Sequence, residues 1–320
     1  MVGVSLSLIE YFSERGAYKD AISLAEETLL SIKNLTYEGL ETTQIYLTKS
    51  LGENLRMSSF RTKAVSILKS ICDDESNNIS KRERNDIRLS IAYAYESEGN
   101  EEEAIKYADM IKKNETNKNS CIYLSAESVI VHFIKDKSQK IGRLNSLKMK
   151  AEKLGYKTLK ANIVLEMCKL EKDENQLKQL DKVIAESRND VYNKVRALVL
   201  KSEIILRTKK IEEITDSDLL GLNVAYSYTF YQRLKPLLNQ CHKLVWKYWE
   251  QQNQFDQLLN LFRYSSFVWR LCNATEEELE YVNKLQSNPT FIDWYENNKN
   301  SINSTYYDQR IFALYKVSTN

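Results

Sequence analysis

The sequence predicts an all-α chain, a superhelical solenoid of antiparallel helix pairs closed by a divergent C-terminal cap. Three observations predict it: two prolines in 320 residues, eight glycines, and a helix-turn-helix pattern that returns along the chain. At average usage of about 5% Pro and 7% Gly, such a chain would hold roughly sixteen of the first and over twenty of the second. Tight turns, bulges and phosphate-cradling loops need the special backbone angles of these residues, so their scarcity disfavours sandwiches, barrels and nucleotide-binding α/β folds.

The pattern is a matter of spacing. Leu8-Ile9 precedes Phe12, a turn at Glu14-Arg15-Gly16, then Ala21, Ala25 and Thr28. Leu51-Gly52 precedes Leu55, a turn near Met57, then Ala64, Leu68 and Ile71; Ile91-Ala92 precedes Tyr95, a turn at Glu98-Gly99-Asn100, then Ala104, Ala108 and Ile111. Val245-Trp246 precedes Trp249, a turn at Gln252-Asn253-Gln254, then Leu258, Phe262 and Ser265. In all four, the second residue of the opening pair lies three before the next anchor and twelve before the anchor of the second helix. Small residues such as Gly52, Ala92, Ala21, Ala64 and Ala104 let two helices cross closely, and the apolar stripe buries against the partner and the next pair. One pair cannot bury both faces, so pairs stack.

This pattern resembles the tetratricopeptide repeat, with its Leu-Gly, Tyr, Gly-x-Tyr, Ala and Ala signature. The likeness is best at 2–32 and 85–114, looser at 45–74 and 239–268, and cryptic between about 120 and 235. The closing Pro of the repeat is absent, and the anchors at 9, 52 and 92 are 43 and 40 residues apart. Repeats with helices this long are similar to those of bacterial peptide-sensing regulators and of sensor arrays in signalling or defence ATPases. The organisation expected is repeats over 1–118, cryptic helical repeats over 119–235, an aromatic-rich repeat over 236–274 and capping helices over 275–320.

Between the clear repeats, helices are expected at 120–133, 138–153, 157–170, 174–186 and 194–207, from apolar residues three and four apart. Asp216-Ser217-Asp218 offers an N-cap for a helix to about 234, and Pro236 starts the next, where its missing N–H costs nothing. Thr275-Glu276-Glu277-Glu278 reads as a capping box opening a terminal block of 275–286 and 290–300, followed by a last helix at 306–315. A full repeat begins at residue 2 without a polar capping helix, so another domain or chain is expected to cover that end.

Chemistry finds little support. With 46 basic and 44 acidic residues there is no general field for nucleic acid or anionic lipid. The five cysteines lie 31 to 73 residues apart without a CxxC pair, which fits a reducing, cytoplasmic setting and neither a zinc knuckle nor a disulfide framework. No apolar run approaches the roughly twenty residues of a membrane helix. No phosphate-binding glycine motif occurs, and no cofactor, metal or catalytic residue is expected. His132, inside Val129–Ile134, is expected to be a buried, hydrogen-bonded core histidine. His242 and Cys241 are adjacent and point about 100° apart on a helix, so they do not converge on a metal.

Aromatic residues concentrate between 220 and 272, which hold 12 of the 33, beside six basic and two acidic residues. Core packing accounts for most of them, and a partner-binding surface for the rest; Trp246 and Trp249 fall on packing anchors, whereas Lys243, Lys247 and Tyr248 fall on other faces. The tetratricopeptide resemblance places ligands in the groove lined by the first helix of each pair. By register, that implies Tyr46, Lys49, Glu53, Arg56, Tyr93 and Glu96, and near the end Lys243, Lys247, Tyr248 and Gln251. The function expected is a non-enzymatic interaction or sensor solenoid for a protein or peptide partner, as the recognition part of a larger bacterial signalling or phage-defence system. The rival is a cytosolic receptor for small signalling peptides, and a metal-dependent hydrolase ranks third.

Overall fold

A computed structural model describes residues 2–35, 39–58, 60–73, 79–171, 176–187, 190–272 and 275–298. Among them are sixteen α-helices and no strand. The chain divides into two compact units, Met1–Thr208 and Lys209–Asn320, a division that falls inside the cryptic segment. The helix expected at 306–315 lies outside the described residues.

Unit 1 holds α1 (Val2–Glu14), α2 (Tyr18–Ile32), α3 (Leu40–Met57), α4 (Arg61–Cys72), α5 (Lys81–Glu98), α6 (Glu101–Asn114), α7 (Cys121–His132), α8 (Lys137–Lys153), α9 (Lys157–Glu171), α10 (Leu177–Glu186) and α11 (Val191–Thr208). Each helix packs on the next, and α1, α3, α5, α7, α9 and α11 also pack in succession on one another. These odd-numbered helices therefore share one continuous face. The anchors read from the sequence are where the packing needs them: Ile9, Ala21, Ala64, Ala92, Ala104 and Ala108 are fully buried.

Local chemistry sets the helix ends. Ser80 caps α5 in a reciprocal capping box with Glu83, satisfying two amides that the helix leaves unpaired. The helix stops at Gly99, whose φ of 73° no β-carbon tolerates well. Asn100 then caps α6, where Glu101, Glu102 and Glu103 meet the positive helix end and Lys112 and Lys113 the negative one.

Unit 2 holds a short 3₁₀ turn at Ile211–Glu213, then α12 (Asp216–Tyr231), α13 (Lys235–Gln251), α14 (Phe255–Leu271), α15 (Thr275–Gln286) and α16 (Pro289–Asn298). Thr215 rather than Asp216 caps α12, with Asp218 as its reciprocal partner. Pro236 lies in the first turn of α13. Asn253, at φ 55°, makes the link from α13 to α14 in the conformation that Gly99 adopts at the same register. The Thr275 side chain, on which the expected capping box depends, lies outside the described ones; Thr275 is the first residue of α15, and Glu278 accepts from Arg270 Nε of α14 at 3.0 and 3.2 Å. Among the described residues, no helix is long and apolar enough to cross a membrane.

Candidate functional site

The shared face of the odd-numbered helices is polar at its centre. On α3, Tyr46 is exposed and its hydroxyl donates to Glu83 Oε1 at 2.5 Å. That bond and those from Ser80 hold the Glu83 carboxyl down at about 2. One turn and two turns on, Lys49 and Glu53 are half-buried, and burial raises the Glu53 pKa against the opposing pull of Lys49 and Arg56. The Arg56 guanidinium lies 5.7 Å from the centre of the Tyr93 ring on α5. Burial, then the charge of Glu96, raises the Tyr93 pKa, against the opposing influence of the nearby Ser125 and Ser128 of α7 and of Arg56.

Beyond Tyr93 the face becomes an ionic network. His132 Nδ1 stands 3.2 Å from Glu96 Oε1 and 3.2 Å from Glu166 Oε1. Lys140 reaches Glu166 at 3.0 Å and donates to the His132 carbonyl at 2.6 Å. Lys169 lies 3.6 Å from the other oxygen of Glu166. Burial pushes the Glu166 carboxyl up, but the close approach of His132 and of the Lys169 and Lys140 ammonium groups outweighs it and holds it well below the usual range. Glu96 goes the other way, raised chiefly by burial. On α11, Arg196 donates to Asn162 at 2.6 Å and to Asn193 at 2.8 Å, with its guanidinium 5.7 Å from the Tyr192 ring centre.

Solvent exposure and electrostatics together give the shape of this face. Lys169 is exposed to water, yet burial lowers its pKa; Glu53, Tyr93 and Glu96 are half-exposed, yet burial raises theirs. Stacked helix pairs curve into a concave surface, and partial desolvation of side chains that water still reaches is what its inner side produces. Tyr18, at the start of α2, meets Tyr192 edge-on with ring centres 6.5 Å apart. Within unit 1 the start of α2 is thus brought against the start of α11.

Six of the residues implied by register, Tyr46, Lys49, Glu53, Arg56, Tyr93 and Glu96, fall on this face, and Arg56 meets Tyr93 across it. Register reasoning missed His132, Asn162, Glu166, Lys169 and Arg196. His132 is not a core residue: α7 turns it toward two carboxylates because its Nδ1 finds charge there and none in the apolar stripe. The core histidine is His242 of unit 2, fully buried, with ring centres 4.2 Å from Tyr281 and 4.8 Å from Trp269 and its Nδ1 2.6 Å from Ser265 Oγ. Desolvation drives its pKa well below 6.5.

The other implied residues lie on α13. Lys243, Lys247 and Gln251 are exposed and four residues apart, so they form one solvent-facing stripe. Tyr248 is 8% exposed and packs against Trp249 at 4.8 Å, so it belongs to the interior rather than to that stripe. The aromatic window splits as its composition suggests. Trp246, Phe255, Phe262 and Trp269 are core, whereas Tyr231, Tyr264 and Phe267 are exposed around Phe230, with ring centres 5.6, 5.9 and 6.2 Å away. A separate cleft of about 300 Å³ lies between α8, α9 and α10, where Lys160 bridges Glu152 at 3.0 Å and Glu186 at 3.4 Å.

No family model matches the chain, and no curated protein sequence does. Among solved structures, it is similar to a Rap protein complexed with Competence and Sporulation Factor, at 10% sequence identity and a TM-score of 0.50. The similarity covers 94% of this chain and 99% of that one. With the helix order and the anchor spacing, this shows the fold of the chain to be a tetratricopeptide-like α-solenoid.

Proposed function

We propose that this chain is a non-enzymatic sensor that binds an extended peptide, or a protein segment presented as one, along the inner face of unit 1. The observation that carries the reading is the concavity built by the odd-numbered helices. Its cations, carboxylates, amides and tyrosines sit within a few ångströms of one another, in reach of water but partly desolvated. Such a surface offers paired donors and acceptors to a peptide backbone and its side chains. The Tyr18–Tyr192 contact supports an extended occupant over a folded domain, because it brings the start of α2 against the start of α11. The similarity to a Rap protein solved with Competence and Sporulation Factor supports an effector-sensing role.

In this reading the chain is the recognition part of a larger bacterial signalling or phage-defence assembly in the cytoplasm. The exposed cluster of Tyr231, Tyr264 and Phe267 gives unit 2 a second surface, of the aromatic composition that protein interfaces favour. The test is affinity selection of the full chain against a pool of random pentapeptides, followed by calorimetry on the retained sequences. A defined set of sequences is expected to bind wild type, and Tyr93→Ala to weaken that binding roughly tenfold or more. Retention of no sequence above background refutes the reading.

A further inference from the structure

Helix α9 has two working sides. Asn162, Glu166 and Lys169 belong to the inner face; at about 100° per residue, Lys157, Lys160 and Val164 lie on the opposite side. There α9 is flanked by α8 and α10, and the cleft of about 300 Å³ opens between the three. A pocket of about 430 Å³ that shares Glu152, Lys157, Lys160 and Glu186 adjoins it. The floor of the cleft is apolar, made by the buried side chains of Ala161 and Val164 from α9 and Val183 from α10. Sites for small organic molecules have volumes of about 300–1,000 Å³, mostly apolar walls and a few polar groups at the edge. This cleft fits the lower end of that class.

The rim decides which charge the ligand carries. Four lysines, Lys148, Lys157, Lys160 and Lys182, stand there beside three carboxylates, Glu152, Glu186 and Asp190. The carboxylates are engaged. Lys160 reaches Glu152 at 3.0 Å and Glu186 at 3.4 Å, and its approach, with the more distant charges of Lys182 and Lys148, holds the Glu152 pKa down. Asp190 accepts from the Asn193 amide at 3.1 Å and from its Nδ2 at 2.8 Å. A cation entering the cleft would have to pull a glutamate away from Lys160. An anion would not, because each ammonium has three donors: Lys182 approaches Glu186 only to 3.8 Å, and Lys148 and Lys157 form no ion pair among the described residues. We propose that this cleft is a second ligand site of unit 1, for a small organic acid, with its apolar body seated on Ala161, Val164 and Val183 and its acid group held by Lys157 and Lys182. The site uses the side of α9 turned away from the inner face and stands independently of the peptide-binding reading.

The test is titration of the isotope-labelled full chain with naphthoate, its neutral analogue naphthamide and the cation naphthylmethylammonium, followed by amide NMR. Naphthoate is expected to shift the amides of Thr158, Ala161, Val164 and Val183 and to bind roughly tenfold more tightly than naphthamide. Lys157→Gln and Lys182→Gln change exposed side chains and are each expected to weaken naphthoate roughly threefold while leaving naphthamide unchanged. Ala161→Leu fills the floor and is expected to abolish binding of both compounds; should urea unfolding show that it does not fold, the lysine variants decide the outcome. Equal affinity for the three compounds, or tighter binding of the cation, overturns the acid site. Shifts confined to the inner face around Tyr93 and His132, or no shift at the cleft at all, overturn the cleft as a ligand site.

Discussion

Gly52→Ala tests the close helix crossing on which the solenoid depends. Two effects oppose each other. Replacing a mid-helix glycine with alanine favours the helix by about 1 kcal/mol, because the unfolded chain loses freedom. At this position, however, a β-carbon would lie 2.7 Å from Leu68 Cδ2 and 2.8 Å from Leu68 Cγ. Comfortable carbon contacts are about 3.5–4.0 Å, so Leu68 would have to move by nearly 1 Å. Leu68 is fully buried and has no room to do so. Overpacking of this kind costs about 1–3 kcal/mol, which leaves a net destabilisation of about 1 kcal/mol. In a Leu68→Ala background, itself destabilised by about 2–5 kcal/mol, both clashing atoms are gone and Gly52→Ala is expected to stabilise by about 1 kcal/mol. Urea unfolding of the four proteins, followed by circular dichroism, gives a coupling energy of about 2 kcal/mol. Equal effects of Gly52→Ala in the two backgrounds would refute the reasoning.

Other expectations follow the same physics. The His242 ring is neutral in the folded and unfolded chain above about pH 6.5; below it, only the unfolded chain takes up the proton, so stability falls as pH drops, by up to about 1.4 kcal/mol per pH unit. Urea midpoints measured from pH 7.5 down to about 5 check this, and the slope is expected to shrink by one proton in His242→Phe. Ser80→Ala removes the capping box of α5 and is expected to cost about 1 kcal/mol, with faster amide exchange confined to the first turn of that helix. Trp269→Ala empties the centre of the unit 2 core and strands Asn239, whose side chain accepts the indole N–H at 2.6 Å. It is expected to cost about 3–5 kcal/mol in the same unfolding assay.

The fold was legible because its determinants are local. Small residues at a crossing and apolar residues three and four apart are fixed by helix geometry, so the anchors at Ile9, Gly52 and Ala92 and most helix limits could be placed from spacing alone. The site was legible only where the repeat register was. Tyr46 through Glu96 follow from it, whereas His132, Glu166, Lys169 and Arg196 come from α7, α9 and α11, whose repeats carry no recognisable anchors. A usable signal existed there: Asn162, Glu166 and Lys169 interrupt the apolar run 161–170 of α9 at intervals of four and three residues, and Ser125, Ser128 and His132 stand three and four apart on α7. That spacing marks a polar stripe on one face, which an apolar neighbourhood disguises as core. Tyr248 was misplaced because helical phase tells which side of α13 a residue occupies but not which neighbour covers that side.

The inner face of unit 1 can be tested as the binding surface by photocrosslinking. A pentapeptide retained in the selection, remade with a diazirine side chain, is irradiated in the presence of the full chain, and the adducts are mapped by mass spectrometry. Adducts are expected on α5, α7, α9 and α11, around Tyr93, Glu96, His132 and Arg196. Adducts on the outer helices, at the Lys160 cleft or along the Lys243–Gln251 stripe would contradict it.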